Sequence, residues 1–187
     1  MLQTISTFFW RIAGLKTFLS ALVLYLFFGG YVMPTGLKTM QEMAGKPVEV
    51  LDLQFYYTEA DAKAILSEYG PGLLKKAAVF EVIADSLYPI VYTYLFIVML
   101  AWLYKSVAAY RPVPAHLHLL PFVVMLADYC ENTGIVRMLL TYPDFGAMLP
   151  GITTVFTMLK WTVLCLEGVL IVFGLWLLFY FRVVKNK

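Results

Sequence analysis

Four apolar stretches, each about as long as a bilayer is thick, dominate this sequence. They run over 15–33, 77–103, 117–140 and 152–181, and about 20 helical residues cross a hydrocarbon core. In lipid every backbone polar group needs an internal partner, so stretches of this kind span as helices. A mean hydropathy of +0.79 and 61% hydrophobic residues exclude a water-soluble domain of this length. The expected fold is all-α: a polytopic membrane protein with a single domain over 1–187, a four-transmembrane-helix bundle with a short extracytoplasmic amphipathic helix in its first connection, 34–76.

Arg11 and Lys16 precede the apolar run that ends in Gly29 and Gly30, as they would in a secretory leader. No small-x-small cleavage site precedes Pro34, however, and the stretch is long enough to span, so it reads as a retained helix. Orientation follows from the flanking cations. Arg11 and Lys16, Lys105 and Arg111, and Arg182, Lys185 and Lys187 fall on one side, whereas the connection over 143–150 has none. The positive-inside rule then places both termini in the cytoplasm, as in a bacterial inner-membrane protein. The first connection mixes Lys38, Lys46, Lys63, Lys75 and Lys76 with six acids and leaves that reading unchanged.

The first connection carries local structure of its own. Thr58 followed three residues later by Asp61 is a helix start, Gly70, Pro71 and Gly72 are a stop, and Ala62, Ile65, Leu66 and Tyr69 form an apolar stripe at helical spacing. The helix so defined packs at the interface, lies on lipid or closes over the spans as a lid. Before it, 48–57 alternates like an extended segment that has no sheet to join. Near the N-terminus, Phe8, Phe9, Trp10 and Ile12 around Arg11 suit interfacial anchoring.

Seven ionisable side chains lie within the spans: Glu81, Asp85, Asp128, Glu131, Arg137, Lys160 and Glu167. Each costs at least about 2.5 to 3.5 kcal/mol at bilayer depth, so such residues are kept for a purpose. They are ordered at helical spacing. Glu81, Asp85, Tyr88 and Tyr92 share one face of the second helix, Asp128, Glu131 and Asn132 one face of the third, and Thr153, Thr157, Lys160, Leu164 and Glu167 one face of the fourth. These stripes meet in one interior site, with Glu167 deeper, as part of a separate pair or a proton path. Five carboxylates against two cations leave an excess of three negative charges. A dry interior does not tolerate that. Protonation, water or a bound cation resolves it, which leaves three readings: a structural ion-pair network, a ligand site, and ion or proton conduction.

Other chemistry finds less support. His116 and His118 lack a third ligand nearby for a tight metal site, and Asp128 with Glu131 belongs to no Asp-rich motif. No phosphate loop, nucleophile elbow or haem pattern occurs, so no cofactor and no metal are expected. Cys130 and Cys165 form no redox pair, and a net charge of +2 gives no reason to expect nucleic acid. Enzymatic work would be carboxylate acid/base chemistry by Glu81, Asp85, Asp128 or Glu131 with Lys160 as charge partner. Tyr88, Tyr92, Trp102 and Trp161 would supply aromatic walls.

Glu81, Asp85, Tyr88, Pro89 and Tyr92, then Asp128, Glu131 and Asn132, then Lys160 and Trp161, resemble the pattern of a group of bacterial four-helix membrane proteins without an assigned activity. That resemblance covers most of the chain and implies only the fold. Four spans, a long first connection carrying Asp52, Leu53 and Gln54, and an acid early in the second helix followed by Tyr88, Pro89 and Tyr92 are also similar to the EXPERA group of sigma-2 receptor and emopamil-binding proteins. This second resemblance implies a pocket for sterol-like or cationic amphiphilic ligands, lined here by Glu81, Asp85, Tyr88 and Trp161. Lys160 departs from that pattern, as does the lack of an isomerase His/Glu pair. The sequence therefore points to a protein that binds membrane lipid or a small amphiphilic ligand. The alternatives are an accessory subunit with a partner membrane subunit or a second copy of itself, and an acid/base enzyme or proton-linked transport component.

Overall fold

The computed structural model describes residues 1–184; Lys185 and Lys187, used above for orientation, lie outside them. Four helices are long and apolar enough to cross a membrane: Leu15–Ala44, Pro71–Ala108, Leu117–Thr141 and Met148–Val183. Among the described residues there is no strand. The elements are α1 (Leu2–Ile12), α2 (Leu15–Phe27), α3 (Met33–Ala44), α4 (Glu59–Ser67), α5 (Pro71–Ala108), α6 (Pro121–Thr141) and α7 (Met148–Phe179).

The first span is longer than its apolar run suggests. Pro34 does not stop it, because α2 passes into α3 through a π turn over Phe28–Val32, in which the Met33 amide bonds back to Phe28 O. A proline ring clashes with the carbonyl four residues before it and offers no N–H, and the wider π register relieves both problems. Helix continues to Ala44 and ends at Gly45, whose φ of 70° is the left-handed stop that glycine tolerates. The part of the first connection outside helix α3 is correspondingly shorter than the expected 34–76.

Helix α5 is the hub. It packs against α6 and α7, which also pack closely on each other, while α2 packs on α5. Only 6% of the apolar window of the first span is buried, against 50% for the second and third. Leu19, Val23, Leu24, Leu26 and Phe27 are all exposed. Among the long helices the first span packs chiefly on α5.

Two caps close the ends of this arrangement. At the first, Val48, Leu51, Tyr57, Ala62, Leu66 and Tyr69 join Leu73 and Ala77 of α5, Ile135, Met138 and Leu139 of α6, and Phe145 in one apolar core. Helix α4 forms where expected, with Thr58 Oγ1 accepting from the Asp61 amide while the Asp61 carboxylate accepts from the Thr58 amide at 2.8 Å. Those bonds hold the Asp61 carboxyl below its ordinary range. A folded-state value below the unfolded one contributes stability above the ordinary carboxylate range, and that contribution is lost on acidification through the lowered value. Thr58→Ala is expected to cost about 1 kcal/mol, and Asp61→Asn to remove the acid sensitivity of this cap; thermal melts between neutral and acidic pH check both. At the other end, α1 lies against α5, with His118 Nε2 3.3 Å from Ser6 Oγ, the Trp10 and His118 rings 5.4 Å apart, and Lys105 Nζ donating to Trp10 O. The His118 ring is thus turned toward Ser6 and Trp10 of α1.

Candidate functional site

A local break in α5 begins the site. Pro89 lies inside that helix and has no N–H to give Asp85 O, its partner four residues earlier. Asn132 of α6 fills the gap, with Nδ2 donating to Asp85 O at 3.0 Å, and one turn away Tyr129 OH donates to Ser86 O at 3.0 Å. Two side chains of α6 are thereby fixed to the backbone of α5, and this presents the polar faces of the two helices to α7.

Helix α7 supplies the cation. Lys160 Nζ lies 2.6 Å from Glu131 Oε2 and 3.4 Å from Asp128 Oδ1. Glu131 also accepts from Thr157 Oγ1 at 2.8 Å, and Asp128 from Tyr92 OH at 2.6 Å. This network is almost wholly enclosed: Glu131 and Thr157 are 0% exposed, Asp128 4% and Lys160 8%. The Lys160 ammonium also sits 5.6 Å from the centre of the Trp161 ring, within cation–π range.

Asp52 enters from the first connection. It sits in a 3₁₀ turn over Leu51–Leu53 that roofs the site, held down by Lys160 Nζ donating to Asp52 O at 3.4 Å and by the Tyr57 amide donating to Thr154 Oγ1 at 3.1 Å. Burial raises the Asp52 carboxyl above its ordinary range, with Lys160 opposing and Asp128 adding to the shift. Burial likewise pushes the Tyr57 hydroxyl upward, and this hydroxyl has no hydrogen-bond partner among the described residues. The roof is therefore this turn; α4 instead buries Ala62 and Leu66 in the apolar cap.

Two adjoining cavities lie beneath the turn. One, of about 360 Å³, is bounded by Tyr25, Tyr88, Tyr92, Phe96 and Trp161 with Asp52, Asp85, Asp128 and Lys160 among its lining. The other, of about 250 Å³, lies between α3 and α5 and reaches Glu81. Asp52, Leu53, Asp85 and Met33 border both. Their aromatic wall is continuous: Tyr25 stacks on Tyr88 at 6.0 Å, Tyr88 meets Tyr92 edge-on at 5.5 Å, and Tyr25 meets Phe96 at 6.4 Å.

The structure places Glu81, Asp85, Tyr88, Tyr92, Asp128, Glu131, Asn132, Lys160 and Trp161 around this one interior region. It sets two other residues apart. Arg137, counted above as an interior cation, is exposed, because it falls on the opposite side of α6 from Ile135 and Met138. Glu167 is 0% exposed with neither carboxylate oxygen hydrogen-bonded among the described residues, lies about 10 Å along α7 from Lys160, and borders neither cavity. Asp52 is the residue the span-by-span reading did not place in the site, since nothing in an irregular connection predicts where its side chain lands. Its only earlier signal was its position beside Leu53 and Gln54.

With Arg137 outside, Asp52, Glu81, Asp85, Asp128 and Glu131 face Lys160 alone. Lys160 is already engaged by Glu131 and Asp128. Glu81, Asp85 and Asp52 have no ion-pair partner within 4 Å among the described residues, and Glu81 Oε2 has no hydrogen bond. No cluster of three or more potential metal ligands occurs among the described residues. The site thus combines a group of acidic side chains with an aromatic wall.

The chain matches no family model, and no curated protein or solved structure matches it.

Proposed function

We propose that this multi-pass membrane protein binds a small amphiphile with a cationic amine head in the cavity under the Leu51–Leu53 turn. The observation that carries this reading is the division of charge. Lys160 is taken up by Glu131 and Asp128, whereas Asp52, Asp85 and Glu81 line the cavities without a cation. An ammonium group beside Asp85 would supply the missing countercharge, and the rings of Tyr25, Tyr88, Tyr92 and Trp161 are suited to surround it. Lys160 does not oppose such a ligand, because its charge is already balanced. The EXPERA resemblance, which rests in part on these same residues, implies the same ligand class.

Met33 of the first span and Leu164 of α7 add apolar lining to the cavity, which supports the accommodation of an apolar tail. Basic residues support the orientation. The Trp10 carbonyl meets Lys105, and the Tyr110 ring stacks on Phe181 at 5.2 Å, so α1, the end of α5 and the end of α7 with Arg182 share one end of the molecule. Our reading puts that end in the cytoplasm of a bacterial cell, and the Leu51–Leu53 turn on the outer side.

A long-chain alkyltrimethylammonium, added to the protein in a neutral maltoside detergent, tests the proposal. The expected result is a dose-dependent rise in melting temperature, absent with an alkyl sulfate of equal chain length and lost in Asp85→Asn although that variant folds normally. No rise, or a rise that Asp85→Asn leaves intact, defeats the reading. Loss of folding in Asp85→Asn would assign the carboxylate to the architecture instead.

A further inference from the structure

A second depression lies on the outer face of the helices, between α3 and α5. It encloses about 610 Å³ and is lined by Tyr31, Val32, Gly36, Met40, Met43, Val79, Phe80 and Ile83, with Thr35, Thr39 and Ala84, and with Lys75 and Lys76 at one end. Along α5 it extends from Lys75 to Ala84, about 13 Å, and along α3 from Tyr31 to Met43, about 18 Å. That is the length of a hydrocarbon chain segment, and the width is set by Gly36. A methyl group there would overlap Phe80 Cε2 and Cζ and lie 3.0 Å from Cδ2, so the glycine lets the Phe80 ring tuck beneath α3 as the floor.

The two lysines distinguish this groove from an ordinary lipid-facing surface. At this end of the molecule Lys38 is paired with Glu42, Lys46 with Glu68 and Lys63 with Glu59. Lys75 and Lys76 have no carboxylate partner among the described residues, and both are exposed. They lie a little more than one turn into α5, where that helix leaves the cap and becomes continuously apolar. Long lysine side chains at such a position reach toward headgroup level. The Thr39 hydroxyl is already spent on Thr35 O, so the rest of the groove offers a chain little beyond van der Waals contact.

We infer that the groove between α3 and α5 holds one acyl chain of an anionic phospholipid whose phosphate sits on Lys75 and Lys76. The site is independent of the amine-binding proposal, and it differs in charge: cationic here, anionic in the interior. The two sites nevertheless share a partition, because Met40 and Phe80 border both the groove and the cavity that reaches Glu81.

Native mass spectrometry of the full chain, titrated with phosphatidylglycerol and with phosphatidylcholine of identical acyl chains, tests this. Two lysines near headgroup level predict a preference for phosphatidylglycerol of roughly tenfold or more. Lys75→Gln with Lys76→Gln is expected to abolish the preference without changing the melting temperature, since neither lysine has a partner to lose. A short-chain phosphatidylglycerol that reaches only the lysines should bind more weakly than the long-chain form, and Thr35→Trp, which fills the groove from its rim, should weaken the long-chain form alone. Equal retention of the two headgroups, or a preference that survives the double substitution, overturns the phosphate site. Insensitivity to both chain length and Thr35→Trp overturns the acyl groove.

Discussion

Lys160→Met is expected to lower the melting temperature in detergent by roughly 6 to 20 °C, the equivalent of about 3 to 5 kcal/mol for breaking a buried ion pair. The size follows from what remains behind. Glu131, 0% exposed, would keep only the Thr157 hydroxyl, and Asp128 only the Tyr92 hydroxyl, with no cation near either. The roof would loosen as well, because Lys160 also donates to Asp52 O. Pairing the substitution with Glu131→Gln removes one orphaned charge and should recover a substantial part of the loss. A single variant that melts with the parent would show that the ammonium does not neutralise these acids, and a double variant no better than the single would show that Glu131 is not its main partner.

The second large effect is expected at a glycine. Gly134→Ala in α6 would drive its methyl group onto Thr153 of α7, overlapping Oγ1 and lying 2.7 Å from Cγ2 and 2.9 Å from Cβ. In the interior of an exposed helix the same change stabilises by up to about 1 kcal/mol, because glycine is the poorer helix former. Here the expected sign is reversed, with a loss of about 1 to 3 kcal/mol or more from overpacking. Small residues let transmembrane helices approach closely, and α6 and α7 share the most intimate contact of any pair of long helices in the chain. Thr153→Ala leaves Cβ in place and should rescue Gly134→Ala in part, whereas Thr153→Gly should do so more fully. Unaltered or raised stability in Gly134→Ala would mean that the two helices are not held this closely.

The two substitutions probe features that the sequence reveals unequally. The spans could be located from apolar length, and the interior faces from steps of three and four residues, because burial in a helix imposes that period on polar and apolar residues alike. The same rule brings Glu81, Asp85, Tyr92, Asp128, Asn132 and Lys160 to one region on helical spacing alone. It had no power over Arg137, which shares the third span but falls on its outer face, and charge counting alone treats an inward and an outward cation equally. Asp52 could not be placed either, since an irregular turn has no period to read. The path of the first helix past Pro34 depended on a π turn, a change of register that local sequence does not signal, and its extension to Ala44 created the groove beside α5. Closeness at Gly134 was equally invisible, because one glycine among 12 carries no mark of the side chain it faces.

The dependence of the first span on α5 has a consequence for biosynthesis. Its packing partner follows it in the chain, and α5 is complete only at Ala108. At about 5 to 20 residues per second, the ribosome needs roughly 4 to 16 s to travel from the end of α2 to the end of α5. Throughout that interval the first helix has to reside alone in lipid or beside the insertion machinery. Its nearly uniform coat of Leu19, Val23, Leu24, Leu26 and Phe27 equips it for that wait. The acids of α6 are less suited to solitude, because the ammonium partner of Asp128 and Glu131 is Lys160, in the last long helix to be synthesised. Assembly of the interior is therefore a late event, completed only when α7 arrives to join helices already in place.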